Sequence, residues 1–197
     1  MFRRLATILV AAPAVFSLVL LTPGVAQANQ TVTGEGPASV PLKRITNSVI
    51  VELSINSEGP VQARPVLSNG GKVFPWVDAT GPWSGSVFQE KEFKPIVGAR
   101  VTAAGPWTIS IKPLGSAPKI TRGTGSAVIQ LKKMSRGTVT KSFMYRGQGD
   151  FKVFPISAKG MSGFASIEES GPYKGKAILP PGTRYIAVVA TGNWQMK

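Results

Sequence analysis

Gly34-Glu35-Gly36-Pro37-Ala38 recurs as Gly123-Thr124-Gly125-Ser126-Ala127, and each run leads to a leucine and two basic residues, Leu42-Lys43-Arg44 and Leu131-Lys132-Lys133. The copies stand 89 residues apart here. The spacing is 90 between Pro65 and Pro155 and between Gly81-Pro82-Trp83-Ser84-Gly85 and Gly171-Pro172-Tyr173-Lys174-Gly175, and 87 between Gly105-Pro106-Trp107 and Gly192-Asn193-Trp194. Anchors in the same order with small changes of spacing mark an internal repeat whose loops have gained and lost residues. Lys-Val-Phe-Pro at Lys72 and at Lys152 does not fall at this spacing and is read as coincidence.

Within each copy, short β-rich runs alternate with Gly, Pro, Asn and Ser, the rhythm of a sandwich or barrel. Val49, Val51, Leu53 and Ile55 alternate with Ile50, Glu52, Ser54 and Asn56, giving a strand with one apolar face. Further strands are expected at Val61 to Leu67, Val73 to Val77, Trp83 to Phe88, Arg100 to Ala104 and Trp107 to Ile111. No segment has helical period. The expected fold is all-β: two tandem antiparallel sandwiches, jelly-roll-like, after a cleaved signal peptide.

The repeated aromatics, Trp83 with Tyr173 and Trp107 with Trp194, sit beside the same turn glycines, which fits core packing better than a ligand platform. Gly-x-Gly here precedes a strand rather than a helix, so it is not a phosphate loop. Gly-x-Gly-x-Ala, then a β-rich run, then Gly-Pro-(Trp/Tyr)-x-Gly and finally Gly-x-Trp resembles a β-sandwich domain family of exported actinobacterial proteins whose function is unknown. The resemblance covers both copies and implies the sandwich fold. It implies no catalytic or binding residue.

The N-terminus has the layout of a secretory signal: Arg3 and Arg4, an apolar run from Leu5 to Leu21, and Ala26-Gln27-Ala28 as a small-residue cleavage site. Pro13 and Pro23-Gly24 interrupt or end the run, which disfavours a retained anchor. The reading is residues 1–28 as signal peptide, 29–116 as the first module and 117–197 as the second, in a product that is secreted or associated with the cell wall. No transmembrane anchor is expected after cleavage. A chain without cysteine must be held by core burial, and each module of about 80 residues gains only modest stability from its own core.

The chain contains no His and no Cys, which removes the commonest general base, the commonest zinc ligands and thiol nucleophiles. The carboxylates offer no Asp-rich calcium loop. Asp78 and Glu168 occupy equivalent positions in different modules, and Glu168 and Glu169 point to opposite faces of any strand that carries them, which disfavours a glycosidase pair. A Ser-Lys dyad has no serine to mark it. The expectation is no enzyme, no catalytic residue, no metal and no cofactor. Leu179-Pro180-Pro181-Gly182-Thr183 lies before a β-rich segment and reads as a turn.

Charge separates the copies. The chain carries +14, and removal of Arg3 and Arg4 leaves +12. From Gly34 to Pro113, eight basic residues face six acids (+2); from Lys119 to Lys197, thirteen face Asp150, Glu168 and Glu169 (+10). A basic module favours anionic partners and salt-sensitive association. The candidate contact residues are Lys132, Lys133, Arg136, Lys141, Arg146, Lys152 and Lys159. The competing explanation is that lysines keep edge strands from pairing. Lys141 matches Val51 and shares apolar parity with Val139, Phe143 and Tyr145, which suits an edge-blocking or a pocket-lining lysine. Trp76, whose partner in the repeat is Ser166, is a candidate contact aromatic, exposed or at the module interface.

The leading functional expectation is a secreted, non-catalytic binding module that engages an anionic envelope polymer, acidic lipid headgroups or an acidic protein surface through its second copy. The alternative is a secreted effector, a toxin or an inhibitor of a secreted enzyme, acting through Asn69-Gly70-Gly71 or Ser157 to Ser162. Nucleic acid fits the charge, but no recognition motif accompanies it.

Overall fold

The computed structural model describes residues 29–197; the signal-peptide reading lies outside them. The first repeat forms β1 (Gln30–Glu35), β2 (Ala38–Ile45), β3 (Val49–Ile55), β4 (Pro60–Leu67), β5 (Val77–Thr80), β6 (Trp83–Gln89), β7 (Ile96–Thr102) and β8 (Pro106–Pro113). A 3-10 turn, Leu114–Ser116, leads towards the second repeat. That repeat forms β9 (Arg122–Thr124), β10 (Ala127–Gln130), β11 (Val139–Tyr145), β12 (Asp150–Ser157), β13 (Ile167–Ser170), β14 (Tyr173–Leu179), β15 (Thr183–Ala190) and β16 (Asn193–Met196). Val73 to Val77 is corrected: only Val77 is in a strand, and Ser68 to Trp76 form the β4–β5 loop.

All pairings are antiparallel, in sheets β1-β8-β3-β6 and β2-β7-β4-β5, then β14-β11-β16-β9 and β10-β15-β12-β13. Within each module the first, eighth, third and sixth strands form one sheet and the second, seventh, fourth and fifth the other, which is the jelly-roll arrangement. The alternation read in β3 is realised, since Val49, Val51, Leu53 and Ile55 enter the first core with Trp107, Ile109 and Ile111. Phe143, Tyr145, Phe151, Ile186 and Trp194 anchor the second. The Tyr145 and Phe151 rings stack at 4.6 Å between centroids.

The motif glycines have separable tasks. An added Cβ on Gly34 would stand 2.3 Å from the Trp107 ring, and one on Gly123 would stand 2.7 Å from Trp194. Gly36 and Gly125 turn the chain at φ +71° and +73°, where other residues are strained. Trp83 and Tyr173 lie half-buried over Gly85 and Gly175 in the same way. The packing interpretation of these four aromatics holds.

A third apolar cluster joins the modules. Ile50, on the outer face of β3, meets Val128, Ile156, Tyr185 and Ala187 from the outer face of the β10-β15-β12 sheet, with Leu114, Ala117, Phe88 and Phe154 around them. The edges of β6 and β10 also touch: the Ser86 amide donates to the Ser126 carbonyl at 3.0 Å, and the Val128 amide to Ser86 Oγ at 2.9 Å. Gly85 makes this approach feasible, because a Cβ there would lie 2.8 Å from the Ser126 carbonyl oxygen. The burial absent from each small core is thus partly supplied between them.

Candidate functional site

The two sandwiches stand with corresponding ends together. At one end β2, β4, β6 and β8 finish in the first module and β10, β12, β14 and β16 in the second. Two contacts align these ends: Ser48 Oγ donates to the Gly160 carbonyl at 2.6 Å, and the Ser162 amide to Glu90 Oε2 at 3.2 Å.

Loops on this shared end are linked in series. The Ser68 amide donates to the Pro95 carbonyl, tying the β4–β5 loop to the β6–β7 loop. Glu90 carries the chain of contacts across to Ser162 in the β12–β13 loop. From there the Ala158 amide donates to the Gly182 carbonyl, and the Gly182 amide to the Ser135 carbonyl in the β10–β11 loop. Ser135, buried, closes the set by donating its hydroxyl to the Pro180 carbonyl at 2.7 Å.

Five of the seven candidate basic residues belong to this end. Lys132, Lys133 and Arg136 are exposed on the β10–β11 loop and Lys159 on the β12–β13 loop, while Lys141 is half-buried near the start of β11. Asp150, Glu168 and Glu169 lie towards the opposite end of the module, on the first half of β12 and on β13. Arg146 is at that opposite end too, in the β11–β12 turn. Lys152 is engaged elsewhere, with its ammonium 2.7 Å from Glu168 and 3.9 Å from Asp150. The hydrogen bond and then the charge of Glu168 hold its pKa above the ordinary lysine value.

Edge protection does not account for the loop positions. The loop residues are on no strand, and β11 and β12 are interior to their sheets. Lys141 pairs opposite Ala177 on β14 and lies beyond the last residue pair that β11 makes with β16, so β11 is locally open on that side and an edge-blocking lysine fits there. Lys174 and Lys176, exposed on edge strand β14, fit edge protection as well.

The first module contributes more to the shared end than its net charge suggests. Arg44, Lys91, Glu92, Phe93 and Lys94 line an open groove of about 510 Å³, with the Lys94 ammonium 5.2 Å from the Phe93 ring centre. A second groove, about 380 Å³, is lined mainly by Ser54, Ser84, Ser86, Thr108 and Ser110 and has no aromatic ring.

Trp76 requires correction. It is 8% exposed and belongs to the first core, neither a surface contact nor part of the module interface. The β4–β5 loop folds it inward, its amide donating to the Ala63 carbonyl at 2.8 Å. Its indole N–H donates to Gln89 Oε1 at 2.6 Å. Sequence reasoning missed the exposed aromatics instead: Phe74, Phe93 and Phe164 are 92%, 94% and 99% exposed, each on a loop of the shared end. The repeat held the signal, since Phe74 and Phe164 are 90 residues apart.

Of the two loops considered for an effector, Asn69-Gly70-Gly71 is a tight turn in which Asn69 Oδ1 accepts from the Gly71 amide at 3.1 Å. Ser157 to Ser162 is pinned to the first module through Gly160 and Ser162. These features define a tandem jelly-roll protein with a basic, aromatic-tipped loop end. No protein-family model matches the chain, and no curated protein matches it at a significant level.

Proposed function

We propose that the protein is a secreted, non-catalytic binding module that holds an anionic extracellular or cell-envelope partner at the shared loop end. The observation that carries the reading is the separation of charge in the second module. Lys132, Lys133, Arg136 and Lys159 lie at one end and the acids Asp150, Glu168 and Glu169 towards the other. Like charges brought together at loop tips repel one another in the free protein, and an anionic partner relieves that repulsion while drawing the protein in. Lys91 and Lys94 extend the positive surface onto the first module. The absence of His and Cys from the sequence favours binding over chemistry.

The test is elution of the mature chain from an immobilised polyphosphate by a salt gradient. Lys132→Glu/Lys133→Glu/Arg136→Glu should elute at clearly lower salt than Arg146→Glu/Lys174→Glu/Lys176→Glu, which has the same net charge. Equal elution of the two variants would show that overall charge, rather than this end, is responsible.

A further inference from the structure

We infer that the shared loop end docks on an anionic lipid bilayer, with Phe74, Phe93 and Phe164 entering the headgroup–acyl boundary and the surrounding lysines and arginines meeting acidic headgroups. The inference rests on the anionic-partner reading and narrows it to one partner class.

Three observations carry it. First, the phenylalanines are almost completely exposed, although the other large aromatics among the described residues are buried fully or in part. Met161, 62% exposed, projects from the loop of Phe164, and Met134, 46% exposed, from the β10–β11 loop of the same end. Single exposed apolar residues are ordinary on protein surfaces, but several large ones gathered on the loops of one end call for a partner.

Second, Phe74 and Phe164 occupy equivalent positions in the β4–β5 and β12–β13 loops, 90 residues apart. Elsewhere the repeat retains glycines and aromatics that pack against each other, as at Gly34 with Trp107 and Gly123 with Trp194. Phe74 and Phe164 have no such packing role in either core. Retention of an aromatic outside both cores fits a shared external contact.

Third, the apolar tips stand among cations. Lys72 lies two residues before Phe74, Lys91 and Lys94 stand on either side of Phe93 with Glu92 between Lys91 and the ring, and Lys132 and Lys133 precede Met134. Aromatic rings at headgroup depth with basic side chains beside acidic lipids form the pattern of a peripheral membrane surface. A soluble polyanion would engage the cations but give three projecting phenyl rings no apolar phase to enter. The serial hydrogen bonds from Ser68 through Glu90 and Ser162 to Ser135 hold these loops as one surface.

The experiment uses the mature chain with vesicles of equal parts phosphatidylglycerol and phosphatidylcholine, with pure phosphatidylcholine vesicles, and with immobilised polyphosphate. Wild type should sediment with the anionic vesicles and not with the neutral ones. Phe74→Ser/Phe164→Ser, at sites too exposed to disturb folding, should weaken vesicle partition about tenfold or more while eluting from polyphosphate with wild type. Phe93→Ser should weaken partition in the same selective way.

Unchanged vesicle binding by these variants overturns the inference. Retention on polyphosphate without vesicle binding overturns it while leaving the anionic-partner reading intact, whereas no salt-sensitive retention on either removes both. Equal loss on vesicles and polymer assigns the rings to a general contact and overturns insertion. Concentration-dependent self-association abolished by the double variant assigns the rings to a second copy of the chain and overturns it too.

Discussion

The indole N–H of Trp107 donates to the carbonyl oxygen of Gly36 at 2.9 Å, and Trp194 makes the same bond to Gly125 at the same distance. In both modules the ring crosses the first glycine of the motif and closes on the second, joining the first strand to the eighth. Gly34→Ala would place a methyl group inside the ring's van der Waals surface, so a loss of about 1–3 kcal/mol is expected. Gly123→Ala should cost a comparable amount. Denaturant midpoints at constant slope measure both.

Trp76 and Gln89 form a buried pair of the first module alone. Gln89→Leu leaves the indole N–H without its acceptor and should cost about 1–3 kcal/mol. Adding Trp76→Phe removes the orphaned donor, so the double variant should lose less than the sum of the single losses. A double-mutant cycle by chemical denaturation reads the difference, and strict additivity would deny the coupling.

Ile50 points away from the first core into the cluster between the modules. Ile50→Asp should separate the sandwiches while leaving both cores in place. Calorimetry should then show two heat-absorption peaks where wild type shows one. A single peak in the variant would mean that the modules stay coupled without Ile50.

Lys152 has its pKa raised in the folded protein by Glu168. Its contribution is therefore complete below the ordinary lysine value of 10.5 and disappears as pH rises through the higher folded value. Lys152→Met should lower the denaturation midpoint at pH about 8, and the gap from wild type should shrink towards pH about 12. A gap that stays constant would assign the loss to the side chain's methylenes. Elution from polyphosphate should change little, because this charge is already paired.

Much of the fold was written in the spacing of glycines and aromatics. Gly34, Gly36 and Trp107 are tied by close contact and backbone conformation, constraints that only a few residue types satisfy, so both copies kept them. The strand pattern of β3 was legible because one face must be apolar. Trp76 was misread because its partner, Ser166, is small. The compensation lies at Gln89, whose partner 90 residues on is the fully buried Leu179. One copy fills its core with an indole capped by an amide; the other uses leucine, while the Ser166 hydroxyl donates to the Ile178 carbonyl at 2.6 Å. A pairwise exchange of this kind is invisible when positions are compared one at a time. The loop end was hidden for another reason: it is assembled from segments far apart in the chain, and no local pattern states which strand ends meet.

The contact between β6 and β10 joins unlike surfaces, so nothing in its symmetry limits the number of copies, and a repeat of this kind can extend into a filament. Here the growth faces differ from the ones in use. The positions of Ser84 and Ser86, small enough to admit β10, are Lys174 and Lys176 in the second copy. At the other end, Val128 of β10, which packs in the cluster between the modules, corresponds to Ser39 of β2, which has no apolar side chain to enter such a cluster. The same few positions that join one sandwich to the next are therefore altered on both outward edges.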